Sequence, residues 1–186
     1  MNPTEEMAKV LDAFDENQIK ELIRDVLDHP SPGIVFKDIS PLLLDPKALN
    51  SVIRKLAEVA TKKRPTIVAG IEARGFIFGA LVALELGVGF VPLRKTGKLP
   101  RQTFKVEYEL EYGKAQLEMH TDAIKTSDSV LLIDDVLATG GTASAGIQLI
   151  EQANATVSEL AFVIEISALK GRSKIQDHTV HSLITY

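Results

Sequence analysis

Two adjacent carboxylates, Asp134 and Asp135, stand just before a short run of hydroxyls and glycines, Ala138-Thr139-Gly140-Gly141-Thr142. The residues before them, Val130 to Ile133, form an unbroken apolar run of the kind shown by a strand buried on both faces. The aspartates are expected to stop that strand. The residues after them open an amphipathic helix carrying Ile147, Leu149 and Ile150. A strand-to-helix turn this small points several backbone N–H groups at one spot. That spot lies at the positive end of the helix dipole and favours a phosphate. Gly140 and Gly141 let the backbone approach closely, and Thr139 and Thr142 add hydroxyl donors. Two bare carboxylates beside a phosphate loop repel the ligand unless it also gives them something to hold. A sugar phosphate does so, with hydroxyls for the carboxylates and a phosphate for the loop. No G-K-[ST] follows the glycines and no G-x-G-x-x-G is present, so this is neither a P-loop nor a dinucleotide fingerprint.

Cations form the second group. Arg74 follows the apolar segment Thr66 to Gly70, as either an anion ligand or a salt-bridge partner. The stretch Arg94 to Lys105 holds Arg94, Lys95, Lys98, Arg101 and Lys105 and no acidic residue. Gly97 and Pro100 make it a loop. It is either a solvated surface loop or a lid for a polyphosphate, mobile until an anion offsets the repulsion among its cations.

The elements that must carry these groups follow from periodicity. Pro46 to Lys62 reads as a helix with Asp45 as N-cap and Pro46 at its first position. Thr66–Gly70, Phe76–Leu86 and Gly89–Leu93 read as strand, helix and strand. That βαβ unit implies a parallel sheet with ligands at the carboxyl ends of its strands. Tyr108 to His120 alternates around Gly113 as a β-hairpin. Its region carries Glu107, Glu109, Glu111 and Glu118, most of them expected to be solvated. Val157–Ile166 and Val180–Tyr186 read as further strands, with a turn at Gly171-Arg172-Ser173-Lys174. His178 and His181, three apart on or near a strand, face opposite sides and make a poor metal pair.

Residues 1–29 read as helical. One apolar stripe is Met7, Val10, Leu11 and Phe14; a second is Ile19, Leu22, Ile23, Val26 and Leu27. His29 to Pro46 contains Pro30, Pro32, Pro41 and Pro46, which exclude a continuous helix. It also holds Ile34, Val35, Phe36 and Ile39, so it is an irregular arm held against the core or a ligand wall.

The chain has 186 residues, enough for one α/β domain that buries roughly 70% of its unfolded surface. It contains no Cys, which excludes disulfides and thiolate metal sites. There is no bilayer-spanning apolar run and no signal-peptide core, so a cytoplasmic location without membrane attachment is expected. A net charge of −4 argues against general nucleic-acid binding.

From about residue 18 onward the chain resembles the adenine enzymes of the type I phosphoribosyltransferase family. The resemblance rests on P-G-I-V-F-K-D-I-S-P-L-L, G-I-E-A-R-G-F-I-F-G, P-L-R-K-T-G-K-L-P, L-E-Y-G and V-L-L-I-D-D-V-L-A-T-G-G-T. The first and fourth separate the adenine enzymes from relatives that share only the phosphoribosyl pyrophosphate (PRPP) loop. The first 14 or so residues look like an N-terminal extension to a single domain spanning 1–186. The implied fold is α/β: a central, mostly parallel twisted sheet flanked by helices, with a flexible basic loop and β-hairpin and a small N-terminal hood. The implied reaction converts adenine and PRPP to AMP and pyrophosphate, with Mg²⁺ carried on PRPP and no direct protein ligands.

By the same resemblance, residues 138–142 hold the 5′-phosphate, while Asp134 and Asp135 hold the ribose hydroxyls. Arg74, Arg94, Lys95 and Lys98 take the pyrophosphate. Val35, Phe36 and Lys37 form the adenine pocket, Glu111 handles proton traffic at the base, and Tyr112 closes over the site. Lys37 stands where many family members have arginine, which keeps the charge but loses the flat guanidinium. The family implies a homodimer in which part of the basic loop serves the partner's site. Two alternatives share the PRPP loop: a phosphoribosyltransferase for another base (hypoxanthine, guanine, xanthine or orotate), and a non-catalytic PRPP-sensing regulator. Such regulators usually carry a DNA-binding domain, for which residues 1–29 are too short and too acidic.

Overall fold

The computed structural model describes residues 14–60, 63–109 and 114–186, in two compact units that divide after Lys55.

Among the described residues, the first helix of the N-terminal unit is α1 (Glu16–Glu21). Asp15 caps it: its carboxylate accepts the Gln18 N–H at 2.9 Å, and the Gln18 side chain accepts the Asp15 N–H at 2.9 Å. Ile19 is fully buried. Strand β1 (Arg24–Leu27) then pairs antiparallel with β2 (Val35–Asp38), placing Asp25 opposite Lys37 and Val26 opposite Phe36. The expected second helical stripe is therefore wrong. Its residues divide between α1, a short link and β1, with Val26 and Leu27 exposed. Pro30 and Pro32 prevent a helix from running on, whereas β2 supplies backbone partners. The turn between the strands is held by Asp28, whose carboxylate accepts the Gly33 N–H at 2.7 Å. The first stripe, through Leu11, lies outside the described residues.

The proline-rich arm is less irregular than expected, since it contains β2 and helix α2 (Ser40–Leu44). Helix α3 (Pro46–Ala60) follows, with the Asp45 carboxylate accepting the N–H groups of Lys47 and Ala48 at 2.9 and 3.0 Å.

The second unit, from Leu56, is built on a seven-stranded sheet. Its strands are β3 (Ile67–Ile71), β4 (Gly89–Lys95), β5 (Thr103–Glu109), β6 (Lys114–His120), β7 (Ser129–Leu137), β8 (Thr156–Glu165) and β9 (Val180–Thr185). The order is β5-β6-β4-β3-β7-β8-β9. Pairings from β4 to β9 are parallel; β5 and β6 are antiparallel additions at one edge. Helix α4 (Gly75–Leu86) links β3 to β4, and α5 (Gly141–Gln152) links β7 to β8. Leu93, Leu117, Leu132, Leu149, Leu160 and Phe162 form part of one buried cluster. No helix among the described residues is long and apolar enough to cross a membrane.

Two boundaries differ from expectation, and both bear on the site. Strand β7 does not stop at the aspartates but runs through them to Leu137. Its pairing with β3 ends at Ile133, while its pairing with β8 continues to Leu137 and Glu165. Asp134 and Asp135 thus lie where β7 has lost one neighbour. The basic segment is also shorter as a loop. Arg94 and Lys95 belong to β4, and Thr103 to Lys105 to β5, which leaves 96–102 as the connection.

Candidate active site

Gly140 sits at φ +78, a left-handed conformation that residues with a Cβ rarely adopt. A Cβ here would also collide with the carbonyl of Gly171. This glycine is the N-cap of α5, so the first N–H groups of a twelve-residue helix open onto the segment 138–142. Gly141 lies against the end of β5: a Cβ on it would stand 3.1 Å from the Glu109 carbonyl. The hairpin therefore brings the chain leading into L-E-Y-G to the mouth of the glycine loop. Glu111 and Tyr112 themselves lie outside the described residues.

Asp134 and Asp135 are arranged unequally. The Asp134 carboxylate accepts the Asp135 N–H at 2.9 Å. The Asp135 carboxylate is buried and forms an ion pair with Arg74 Nε at 2.6 Å. Burial, and then the adjacent Asp135 charge, push the Asp134 carboxyl well above the usual carboxylate range. Burial raises Asp135 too, opposed by the Arg74 guanidinium. Burial that opposes the charge of a carboxylate pair at the carboxyl end of a parallel strand is common at functional sites and also occurs in structural ion-pair networks. Arg74, read as either an anion ligand or a salt-bridge partner, is a salt-bridge partner here. Its side chain remains about one-third exposed, so the pairing leaves one face of the guanidinium toward solvent.

Sequence reasoning missed Glu72, two residues before Arg74. The peptide joining it to Ala73 is cis. Its carboxylate accepts the Lys95 N–H at 3.0 Å and Arg94 Nε at 3.3 Å, and pairs closely with Lys98 Nζ. Burial pushes this carboxyl up, but the bonds from Lys98, Lys95 and Arg94 outweigh it and hold it below its ordinary range. Glu72 thus gathers Arg94, the Lys95 backbone and Lys98, and Asp135 gathers Arg74. Arg74, Arg94, Lys95 and Lys98, the four cations that the resemblance assigns to pyrophosphate, fall on or beside the carboxyl ends of β3 and β4.

The expected repulsion among five loop cations is not what the structure has. Arg101 pairs with Asp122, and Lys105 with Glu118 at 2.8 Å. Glu118, expected to be solvated, is buried; it also accepts the Gly97 N–H at 3.2 Å. The Lys105 bond holds its carboxyl below the ordinary range. The carboxylates that neutralise this basic stretch come from elsewhere in the chain: Glu72 just after β3, Glu118 on β6 and Asp122 just beyond it.

In the N-terminal unit, Val35, Phe36 and Lys37 lie consecutively on β2. Phe36 meets His29 edge to face at 5.1 Å between ring centroids. Lys37 is not the flexible ammonium its substitution for arginine suggests: its side chain is 10% exposed and its Nζ is 2.6 Å from Asp25. No cluster of three or more metal-ligating side chains occurs among the described residues, and His181 is 3.4 Å from Glu159.

A family model described as "Phosphoribosyl transferase domain" matches residues 42–184. A protein of Nitrosococcus oceani named adenine phosphoribosyltransferase is 55% identical over 169 residues, which cover 91% of this chain and 99% of that protein. The crystal structure of adenine phosphoribosyltransferase from Thermoanaerobacter pseudethanolicus superposes with a TM-score of 0.90 at 46% identity, covering 92% of this chain and 99% of that one. The Saccharomyces cerevisiae enzyme, solved with an imino-altritol bisphosphate and adenine, gives 0.86 at 40% identity over 90% of this chain and 97% of that one. With the loop, the paired aspartates and the gathered cations in place, the chain belongs to the phosphoribosyltransferase domain family and, within it, to the adenine phosphoribosyltransferases.

Proposed function

We propose that this chain acts in purine salvage, moving the 5-phosphoribosyl group of PRPP to adenine and releasing AMP and pyrophosphate, with the phosphate, ribose and pyrophosphate roles divided along one sheet edge. The observation that carries the division is the convergence of the α5 N-terminus, the Asp134–Asp135 pair and the cations at Arg74, Arg94 and Lys98 on the carboxyl ends of β3, β4 and β7. Ala138 to Thr142 anchor the 5′-phosphate. Asp134 and Asp135 accept the ribose hydroxyls, and their negative charge favours the cationic sugar that forms as the bond to pyrophosphate lengthens. Arg74, Arg94, Lys95 and Lys98 receive the departing pyrophosphate. Val35 and Lys37 offer backbone groups and Phe36 a ring to the base. Glu111 moves a proton at adenine, and Tyr112 covers the site.

The donor set also fits Mg²⁺. Mg²⁺ keeps several waters and is held largely by substrate phosphates, with one or two carboxylates at most, which suits an ion carried on PRPP rather than on direct protein ligands. Asp135 Oδ2 is buried without a hydrogen-bond partner, although ion-paired to Arg74. The ion, carried on PRPP, would neutralise charge on the pyrophosphate. A cytoplasmic location suits an enzyme whose substrate is a highly charged phosphate ester that does not cross membranes.

A homodimer is part of the proposal. On α4, Ile77 is 37% and Leu84 78% exposed, and Ala80 is exposed on the same helical face. That spacing makes one apolar stripe, and a second copy of the same stripe is its natural cover. Whether the basic loop serves the partner's site is tested by mixing two inactive variants, Lys98→Ala and Asp135→Asn. Partial recovery of activity is expected on mixing. No recovery would mean that Lys98 serves the site of its own chain, where Glu72 holds it.

A further inference from the structure

The segment Gly171–Lys174, which reads from sequence as a turn, forms a short 3-10 helix. Its first residue lies directly under the glycine loop. A Cβ on Gly171 would collide with the Ala138 carbonyl and stand 3.0 Å from the Gly140 nitrogen; a Cβ on Gly140 would collide with the Gly171 carbonyl. Two backbones meet there with no side chain between them, so a shift of one is a shift of the other. Lys170, just before, holds φ 52, a conformation that persists for a residue with a Cβ only where its surroundings impose it.

Arg172 ties this turn to the strands beside it. Its Nε lies 2.8 and 3.0 Å from the two Glu165 carboxylate oxygens, and its Nη2 donates to Glu165 Oε2 at 2.8 Å. Nη1 donates to the Val180 carbonyl at 2.9 Å, and Nη2 reaches Ser182 Oγ at 3.4 Å. Glu165 ends β8, where it pairs with Leu137 of β7 and Thr185 of β9. Leu137 is the residue before the glycine loop, and its carbonyl accepts the Ile166 N–H at 3.0 Å. One guanidinium therefore joins the end of β8, strand β9 and the turn under the loop. A basic residue beside a phosphate loop invites a role as a phosphate ligand. Here the guanidinium fork is already engaged by a carboxylate in bidentate geometry, so it acts through position.

We propose that Arg172 is a positioning residue for the phosphate loop: through Glu165 and Gly171 it fixes the height of residues 138–140, and so sets affinity for the 5′-phosphate without touching it. The proposal rests on the reading of residues 138–142 as the 5′-phosphate site. The experiment titrates ribose 5-phosphate and, separately, pyrophosphate into the full-length enzyme. It also measures KM for PRPP and for adenine, and thermal midpoints, for Arg172→Ala, Arg172→Lys and Thr142→Ala. Arg172→Ala should weaken ribose 5-phosphate binding and raise the KM for PRPP by about 10-fold, short of the ~10²-fold that a 1 Å misplacement costs. Pyrophosphate affinity and the KM for adenine should stay within about twofold of the starting enzyme by the same argument. Arg172→Lys keeps the charge but not the fork, and should lose part of the same affinity. A lowered thermal midpoint with unchanged ribose 5-phosphate affinity overturns the proposal and leaves a plain structural brace. If Arg172→Ala does not fold, Arg172→Lys decides on the same criteria. Thr142→Ala separates the two readings. If it weakens ribose 5-phosphate while the Arg172 variants do not, only the positioning role falls. If Thr142→Ala also leaves that affinity intact, the phosphate-site reading falls and takes the positioning role with it.

Discussion

Replacing Asp135 with asparagine should cut kcat by about 10²–10³-fold, the usual cost of losing one preorganised electrostatic contact, while the fold survives. Asp134→Asn should cost a similar factor. The two differ in stability. Asp135→Asn strips Arg74 of its 2.6 Å partner, although that guanidinium is exposed enough for water to compensate. Asp134→Asn can keep the bond to the Asp135 N–H and removes a carboxylate whose ionisation burial opposes. The raised Asp134 carboxyl means that, between its unfolded and folded pKa, the native state binds more protons than the unfolded chain. Stability from this group is full below the ordinary carboxylate pKa of about 3.9 and is lost as pH rises through the raised native value. Asp134→Asn should therefore melt no lower than the starting protein at neutral pH, and its advantage should shrink toward about pH 4. Steady-state kinetics with melting curves at both pH values test this. Near-normal turnover in both variants would remove the ribose-binding role. A lower melting point for Asp134→Asn at neutral pH would contradict the linkage.

The second large effect is on the choice of base. Adenine presents a donor at N6 and an acceptor at N1, whereas hypoxanthine and guanine present an acceptor at O6 and a donor at N1. Among the described residues, strand β2 has a strand neighbour on one side only, β1. Val35 and Lys37, two apart, direct their backbone groups to the same edge. Backbone polarity cannot be reversed by a rotamer, so such an edge matches one pattern and leaves the other unpaired, at ~1–3 kcal/mol for each group. Two mismatches give a preference for adenine on the order of 10²–10⁴ in kcat/KM. Phe36→Ala should raise the KM for adenine without relaxing the preference, because stacking is indifferent to the pattern of donors. Lys37, anchored by Asp25, does not supply the looseness that its substitution for arginine suggests. A panel of bases assayed with PRPP and Mg²⁺ decides. Comparable kcat/KM for adenine and hypoxanthine would overturn this account of selectivity.

What the sequence makes legible is what is local. The apolar run, the two aspartates and the glycine loop are contiguous, so strand, carboxylates and helix N-terminus can be read in one pass. The Asp45 cap of α3 is legible for the same reason. Partnerships formed across the sheet are not. Arg94 and Lys98 find Glu72 from 22 and 26 positions away, and Arg101 finds Asp122 from 21, so a stretch without acidic residues looks uncompensated when it is not. Strand β1 is hidden by another ambiguity. Leu22, Ile23, Val26 and Leu27 satisfy a helical period, and only β2, whose Val35 faces Leu27, reveals the strand. The brace at Arg172 is invisible for the first reason: its partners lie on two strands.

The carboxylate of Glu72 gives the cations around it a resident counter-ion. An arriving anion therefore does not fall into an empty positive well; it must exchange with an oxygen pair already seated. Chloride offers a single weakly hydrogen-bonding charge and exchanges poorly. Inorganic phosphate does better, and pyrophosphate, with more charge and more oxygens over a longer span, does best. Such an exchange would favour the larger polyanion before any contact to sugar or base. With Arg94 and Lys98 assigned to pyrophosphate as proposed, the same exchange would run backward on the way out: Glu72 would reclaim both cations as the product departs, so they need not be left bare.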